Sequence, residues 1–166
     1  MLECPKGIRM NRILIKNVIV LSLILGSILG LLAPIPIVGI FMLFGILLLA
    51  APLVMVYLIM DGKLELTTPT DSIITGALVG FSANMSFASA FCIMIFILSQ
   101  FFNFNQNLFL TAMIVNSPIW LLGVFIIFLG ILIATTNAFT GFGTFYVINF
   151  IRDMYEKKYF NDKNLK

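Results

Sequence analysis

Two long runs of the chain, Asn17 to Met60 and Ser72 to Ile151, contain no Asp, Glu, Lys or Arg, and every charged side chain falls within residues 1–16, 61–71 or 152–166. A Lys, Arg or Asp at the centre of a membrane helix costs about 2.5–3.5 kcal/mol on insertion scales, so runs this long are the mark of segments suited to lipid. The pattern predicts an all-α integral membrane protein. Its expected architecture is four transmembrane helices in two antiparallel hairpins, followed by a C-terminal amphipathic helix at the interface.

The boundaries follow from local signals. About 20 apolar residues at about 1.5 Å each cross a hydrocarbon core of about 30 Å, so the first run holds two spans, 13–32 and 38–60, after a short cytoplasmic segment, 1–12. Pro34-Ile35-Pro36 separates them, because proline lacks a donor and disfavours helix in the residue before it. Asp61-Gly62 closes the second span and opens a loop, 61–68. Thr68 is placed to cap a third span, 69–101, with Pro69 at its first position and Asp71 at its third. An outer loop, 102–117, contains the polar stretch FFNFNQN and a short apolar segment, Leu108 to Asn116. Ser117-Pro118 repeats the cap signal, giving a fourth span at 118–138. A second arrangement, with Leu108 to Ala134 as one broken span, keeps four crossings. Thr140-Gly141-Phe142-Gly143 weakens helix continuity without demanding a break. An amphipathic helix over 145–158 has Val147, Phe150, Ile151 and Met154 on its apolar side, with Asp153 and Lys157 spaced for an i,i+4 pair, and a basic tail, 159–166, ends the sequence.

Composition agrees with this reading. The chain is 61% hydrophobic over 166 residues, against roughly 45–50% in soluble domains, which makes it a single membrane domain. The excess of ten Lys and Arg over seven Asp and Glu flanks the apolar runs and forms no stripe with stacking aromatics, so anionic lipid heads fit it better than nucleic acid. The positive-inside rule then places both termini and the 61–68 loop on the cytoplasmic side of the cell membrane. Trp120 falls at an outer span end and Tyr57 and Tyr146 at inner ends, where amphipathic rings sit. The start resembles a secretory signal in charge order, but its apolar run continues into a second span with no short core and cleavage site. Met10-Asn11-Arg12 would serve equally as a start.

Candidate chemistry is sparse. Histidine is absent, removing the commonest general base and the commonest metal ligand together. Cys4 and Cys92 are far apart in sequence and in kind of environment, so neither a disulfide nor a zinc site is expected. No catalytic, cofactor-binding or metal residues are assigned, and an enzyme is not expected. Asp61, Glu65 and Asp71 are read as a solvated loop and a helix cap.

Small residues recur every fourth position in two spans: Ser22, Gly26 and Gly30 in the first, and Gly76, Gly80, Asn84 and Ala88 in the third. Such stripes let helix backbones approach closely, either within the molecule or between copies in a homo-oligomer. Ser82, Asn84, Ser86 and Ser89 could together line a polar path. Pro52 predicts a kink in the second span. Asn116 and Asn137 are read as lying near span ends, with little part in the interior. The expected role is that of a non-enzymatic structural or accessory protein, set in the lipid bilayer, that binds partner helices or lipids. The alternative is a subunit of an oligomeric small-solute transporter or channel.

Overall fold

The computed structural model describes residues 12–35, 37–63, 68–102 and 116–164. Among them the chain is helical without strands: α1 (Arg12–Leu32), α2 (Val38–Phe44), a π-helical turn (Gly45–Leu49), α3 (Ala50–Met60), α4 (Pro69–Phe102) and α5 (Ile119–Asn164). Four helical stretches are long and apolar enough to cross a membrane: Leu14–Leu32, Val38–Met60, Pro69–Phe101 and Ile119–Tyr155. The expected segments 1–11, Glu65 with its neighbours at 64–67, the outer stretch 103–115 and the end of the tail at 165–166 lie outside the described residues.

Local chemistry sets the ends. Gly62 takes φ +65° after α3, its N–H donating to the Ile59 carbonyl while that of Lys63 reaches back to Leu58, a Schellman closure that only glycine adopts without strain. Thr68 Oγ1 accepts from the Asp71 N–H at 3.2 Å and α4 begins at Pro69. At the start of α5 the Pro118 carbonyl takes the first turn's bonds from Leu121 and Leu122, so that helix begins one residue later than the Ser117-Pro118 signal suggests. Between α1 and α2 the chain turns through buried Pro34 and through Ile37, whose φ of 69° is strained for a β-branched residue.

One expectation about continuity is corrected. The second apolar stretch keeps its bounds and contains a π turn at Gly45–Leu49, shortly ahead of Pro52. The expected boundary between a fourth span at 118–138 and a tail helix at 145–158 is not found: α5 runs unbroken for 46 residues, about 69 Å at 1.5 Å per residue. The reason is packing. Gly141 lies where the Ser72 hydroxyl donates to its carbonyl at 2.6 Å, and a Cβ there would come within 2.9 Å of the Ser72 carbonyl oxygen. The glycine permits a contact and interrupts nothing.

Helix α4 is the spine, packed along α1 on one side and α5 on the other, while α3 closes against α4 and α5. Gly26 abuts Ala83 and Gly30 abuts Phe87, so α1 and α4 run the same way; Gly76 and Gly80 meet Asn137 and Ile133, so α5 runs opposite to α4. Val18, Ile46, Ala51, Val54, Met55, Leu58, Val79, Ala83 and Ile133 form the core. The outside is apolar along its length, from Ile24 and Ile28 on α1 to Phe128 and Phe139 on α5.

Candidate functional site

The densest buried polar chemistry lies where α3, α4 and α5 meet, and its centre is Asn137. The residue is 0% exposed. Its Nδ2 shares two hydrogens among the carbonyls of Ile46 at 3.0 Å, Leu47 at 3.1 Å and Ile133 at 3.0 Å, and its Oδ1 accepts from the Ala51 N–H at 2.8 Å. These partners are the backbone groups that the break in the second crossing sets free. In an α ladder Ala51 would donate to Leu47, and in a π ladder to Ile46; Pro52 has no N–H for Leu48 in the first register or Leu47 in the second. A side-chain amide has the same donor and acceptor as a peptide group, so Asn137 stands in for the peptide that Pro52 removes.

Below this joint α4 contributes two buried hydroxyl residues, Ser72 and Thr75. Ser72 donates to Gly141, as above, and the half-buried Thr140 and buried Thr144 donate to the carbonyls of Asn137 and Thr140, at 3.2 and 2.8 Å. Met55 on α3 reaches the same place, with its sulfur 3.4 Å from where a Gly141 Cβ would lie. Among the described residues every buried side-chain nitrogen and oxygen has a hydrogen-bond partner, and no group of His, Cys, Asp and Glu could hold a metal ion. The arrangement can orient and lock helices. It has no group placed to exchange protons.

The small-residue stripes are occupied inside the molecule. A Cβ on Gly26 or Gly30 would overlap the carbonyls of Ala83 or Phe87, and one on Gly76 that of Asn137; on Gly80 it would come within 2.7 Å of the Asn137 Cβ. Ser22, also fully buried, donates to its own helix at Val18, and Ala88 is half-buried. These faces hold α1 and α5 against α4.

The polar residues of α4 do not all face one neighbour: Ser82, Ser86 and Ser89 share a side by spacing, and Asn84 is turned from it. The Asn84 amide donates to the Ile126 carbonyl of α5 at 3.2 Å, whereas the Ser86 hydroxyl donates to the Leu23 carbonyl of α1 at 2.7 Å. Ser89 satisfies itself on Met85 one turn back, and Ser82 is buried. Asn84 and Ser86 therefore serve opposite sides of one helix: at two residues apart a helix turns about 200°, which sends the side chains to different neighbours. Ser27, which the sequence left unremarked, completes the α1 contact. Its hydroxyl meets that of Ser86 and donates to Leu23 at 2.9 Å.

Asn137 is the residue that sequence reasoning set aside. Its supposed place near a span end depended on α5 stopping at 138; in the continuous helix it is interior. A signal was available, since a proline inside one span leaves a carbonyl that some other span must satisfy where water is excluded. At the polar end of α3, Asp61 pairs with Lys63 and raises its pKa above the ordinary lysine value, first through their hydrogen bond and then through charge.

Four long apolar helices around a proton-inert polar joint define the class as a multi-pass helical membrane protein. No family model, curated protein or solved structure matches the chain.

Proposed function

We propose that the chain is a non-enzymatic structural or accessory protein of the cytoplasmic membrane. It is inserted as four spans in two antiparallel hairpins with both termini inside, and it offers its lipid-facing surface to partner helices. The observation that carries the reading is the division of labour among its side chains. Interior polar groups are engaged within the chain, by Asn137 on the α2–α3 break, Asn84 on Ile126 and Ser72 on Gly141, while Phe128 (57% exposed) and Phe139 (74% exposed) leave an apolar exterior. A rigid body of this kind is suited to docking by shape and dispersion, the forces that associate helices in lipid.

Photo-crosslinking residues placed at Phe128 and Phe139 in native membranes test this. A discrete protein adduct at either position is the expected result; lipid adducts alone at both overturn it, as does solute flux above that of empty vesicles after reconstitution. The topology has its own test in Ile35→Cys, Glu65→Cys, Asn105→Cys and Phe160→Cys. Labelling of 65 and 160 from opposite faces overturns the four-span insertion.

A further inference from the structure

The inner ends of the shorter helices fix a level along α5. Asp61 follows α3 ten residues after Ala51, the partner of Asn137, and the same distance along α5 from Asn137 arrives at Val147. Ser72, next to Asp71, pairs with Gly141, so charge on α4 begins one helical turn or so before that level. The helix continues past that level, with Ile148 and Asn149 half-buried, as far as Asn164. Over this part Val147, Phe150, Ile151 and Met154 are 57, 65, 47 and 57% exposed. Their spacing of three, four and seven residues puts them on one face. Asn149, Arg152 and Asp153 fall on the other.

A bare apolar stripe at the level where the other helices already carry charge needs a cover. The surrounding sequence indicates which: from Arg152 onward it has Arg152, Lys157, Lys158, Lys163 and Lys166 against Asp153, Glu156 and Asp162. Tyr146 and Tyr155, both exposed, flank the stripe at its two ends. An apolar face with a cationic excess and ring anchors complements an anionic lipid surface. Gly143, where a Cβ would meet no neighbouring helix, gives α5 a point at which to tilt.

We infer that the part of α5 beyond Val147 is a membrane-surface segment, laid on the inner leaflet with Val147, Phe150, Ile151 and Met154 toward the acyl chains and held there by anionic headgroups. This rests on the proposed insertion of the four spans, and the experiment separates the two. In a full-length Cys4→Ser, Cys92→Ser background, Met154→Cys and Phe139→Cys are each labelled with an environment-sensitive fluorophore. Each is reconstituted into phosphatidylcholine vesicles with and without phosphatidylglycerol, and with brominated acyl chains as quenchers. The expected result is quenching at 139 in both lipids, and at 154 a blue shift with quenching in the anionic vesicles that is lost with Arg152→Gln and Lys157→Gln. Water-like emission at 154 with quenching at 139 overturns the surface segment alone. Equal quenching at 154 in both lipids overturns the role of anionic headgroups, and a blue shift at 154 without quenching, growing with protein density, gives the stripe to a second copy instead. Absence of quenching at 139 overturns insertion and segment together.

Discussion

The two seams of α4 are built from the same small-residue pattern and held by different forces. Against α1, Gly26 and Gly30 sit on the backbone of Ala83 and Phe87, with one hydroxyl cluster of Ser27, Ser86 and the Leu23 carbonyl beside them. Close approach does the work there. Against α5, Gly76 and Gly80 admit Asn137, and that residue reaches past α4 to mend the broken ladder of the second crossing. One seam needs only the absence of side chains. The other needs a particular amide, because backbone groups shut away from water have no substitute partner.

The largest effect is therefore expected at Asn137. Asn137→Leu keeps the branching at Cγ in a larger side chain and strands the Ala51 N–H and the carbonyls of Ile46 and Leu47, a loss of about 2–9 kcal/mol if two or three groups each cost about 1–3 kcal/mol. Denaturant unfolding in mixed micelles measures it, and a loss no greater than that of Ser86→Ala would erase the distinction between the seams. Next come the glycines. Gly26→Leu and Gly76→Leu force a helix off its neighbour and should each cost about 1–3 kcal/mol, whereas Gly123→Ala, with open space around it, should gain about 0.5–1 kcal/mol from helix propensity.

A double-mutant cycle sharpens the account of the joint. Pro52→Ala returns an N–H to the second crossing, so Asn137→Leu should cost about 1 kcal/mol less in that background than in the wild type. Strict additivity would mean that Asn137 is not replacing the donor of residue 52. The smallest expected effect is at the α1 seam, where Ser86→Ala should cost about 0.6 kcal/mol, the usual worth of a hydrogen bond between helices in lipid. The Ser27 hydroxyl remains available to the Leu23 carbonyl it shares.

Much of the fold was legible because its signals are local. Charge-free runs mark the spans, Gly62 and Thr68-Pro69 mark ends that need no distant partner, and the π turn lies inside a crossing whose bounds the charge pattern had set at 38–60. The candidate site was legible only in part. The stripes of Gly26, Gly30, Gly76 and Gly80 announced close contacts, since spacing alone puts them on one face, but did not say which helix they met. Asn137 was passed over because Gly141 and Gly143 resemble a helix end to any local rule, and only the Ser72 contact explains the first of them otherwise.

The sequence by itself determined that there are four apolar stretches long enough to cross a membrane, roughly where each begins and ends, and that the runs Asn17 to Met60 and Ser72 to Ile151 hold no formal charge. These follow from transfer energy and capping, which depend on residues close together in the chain. Only the tertiary structure decided that α4 is the spine, that Asn84 and Ser86 turn to opposite neighbours, and that Asn137 completes a helix 86 residues away. The physical reason is that an unpaired backbone group requires a partner without specifying which, and the choice falls to whichever side chain the packing of α3, α4 and α5 brings within 3 Å.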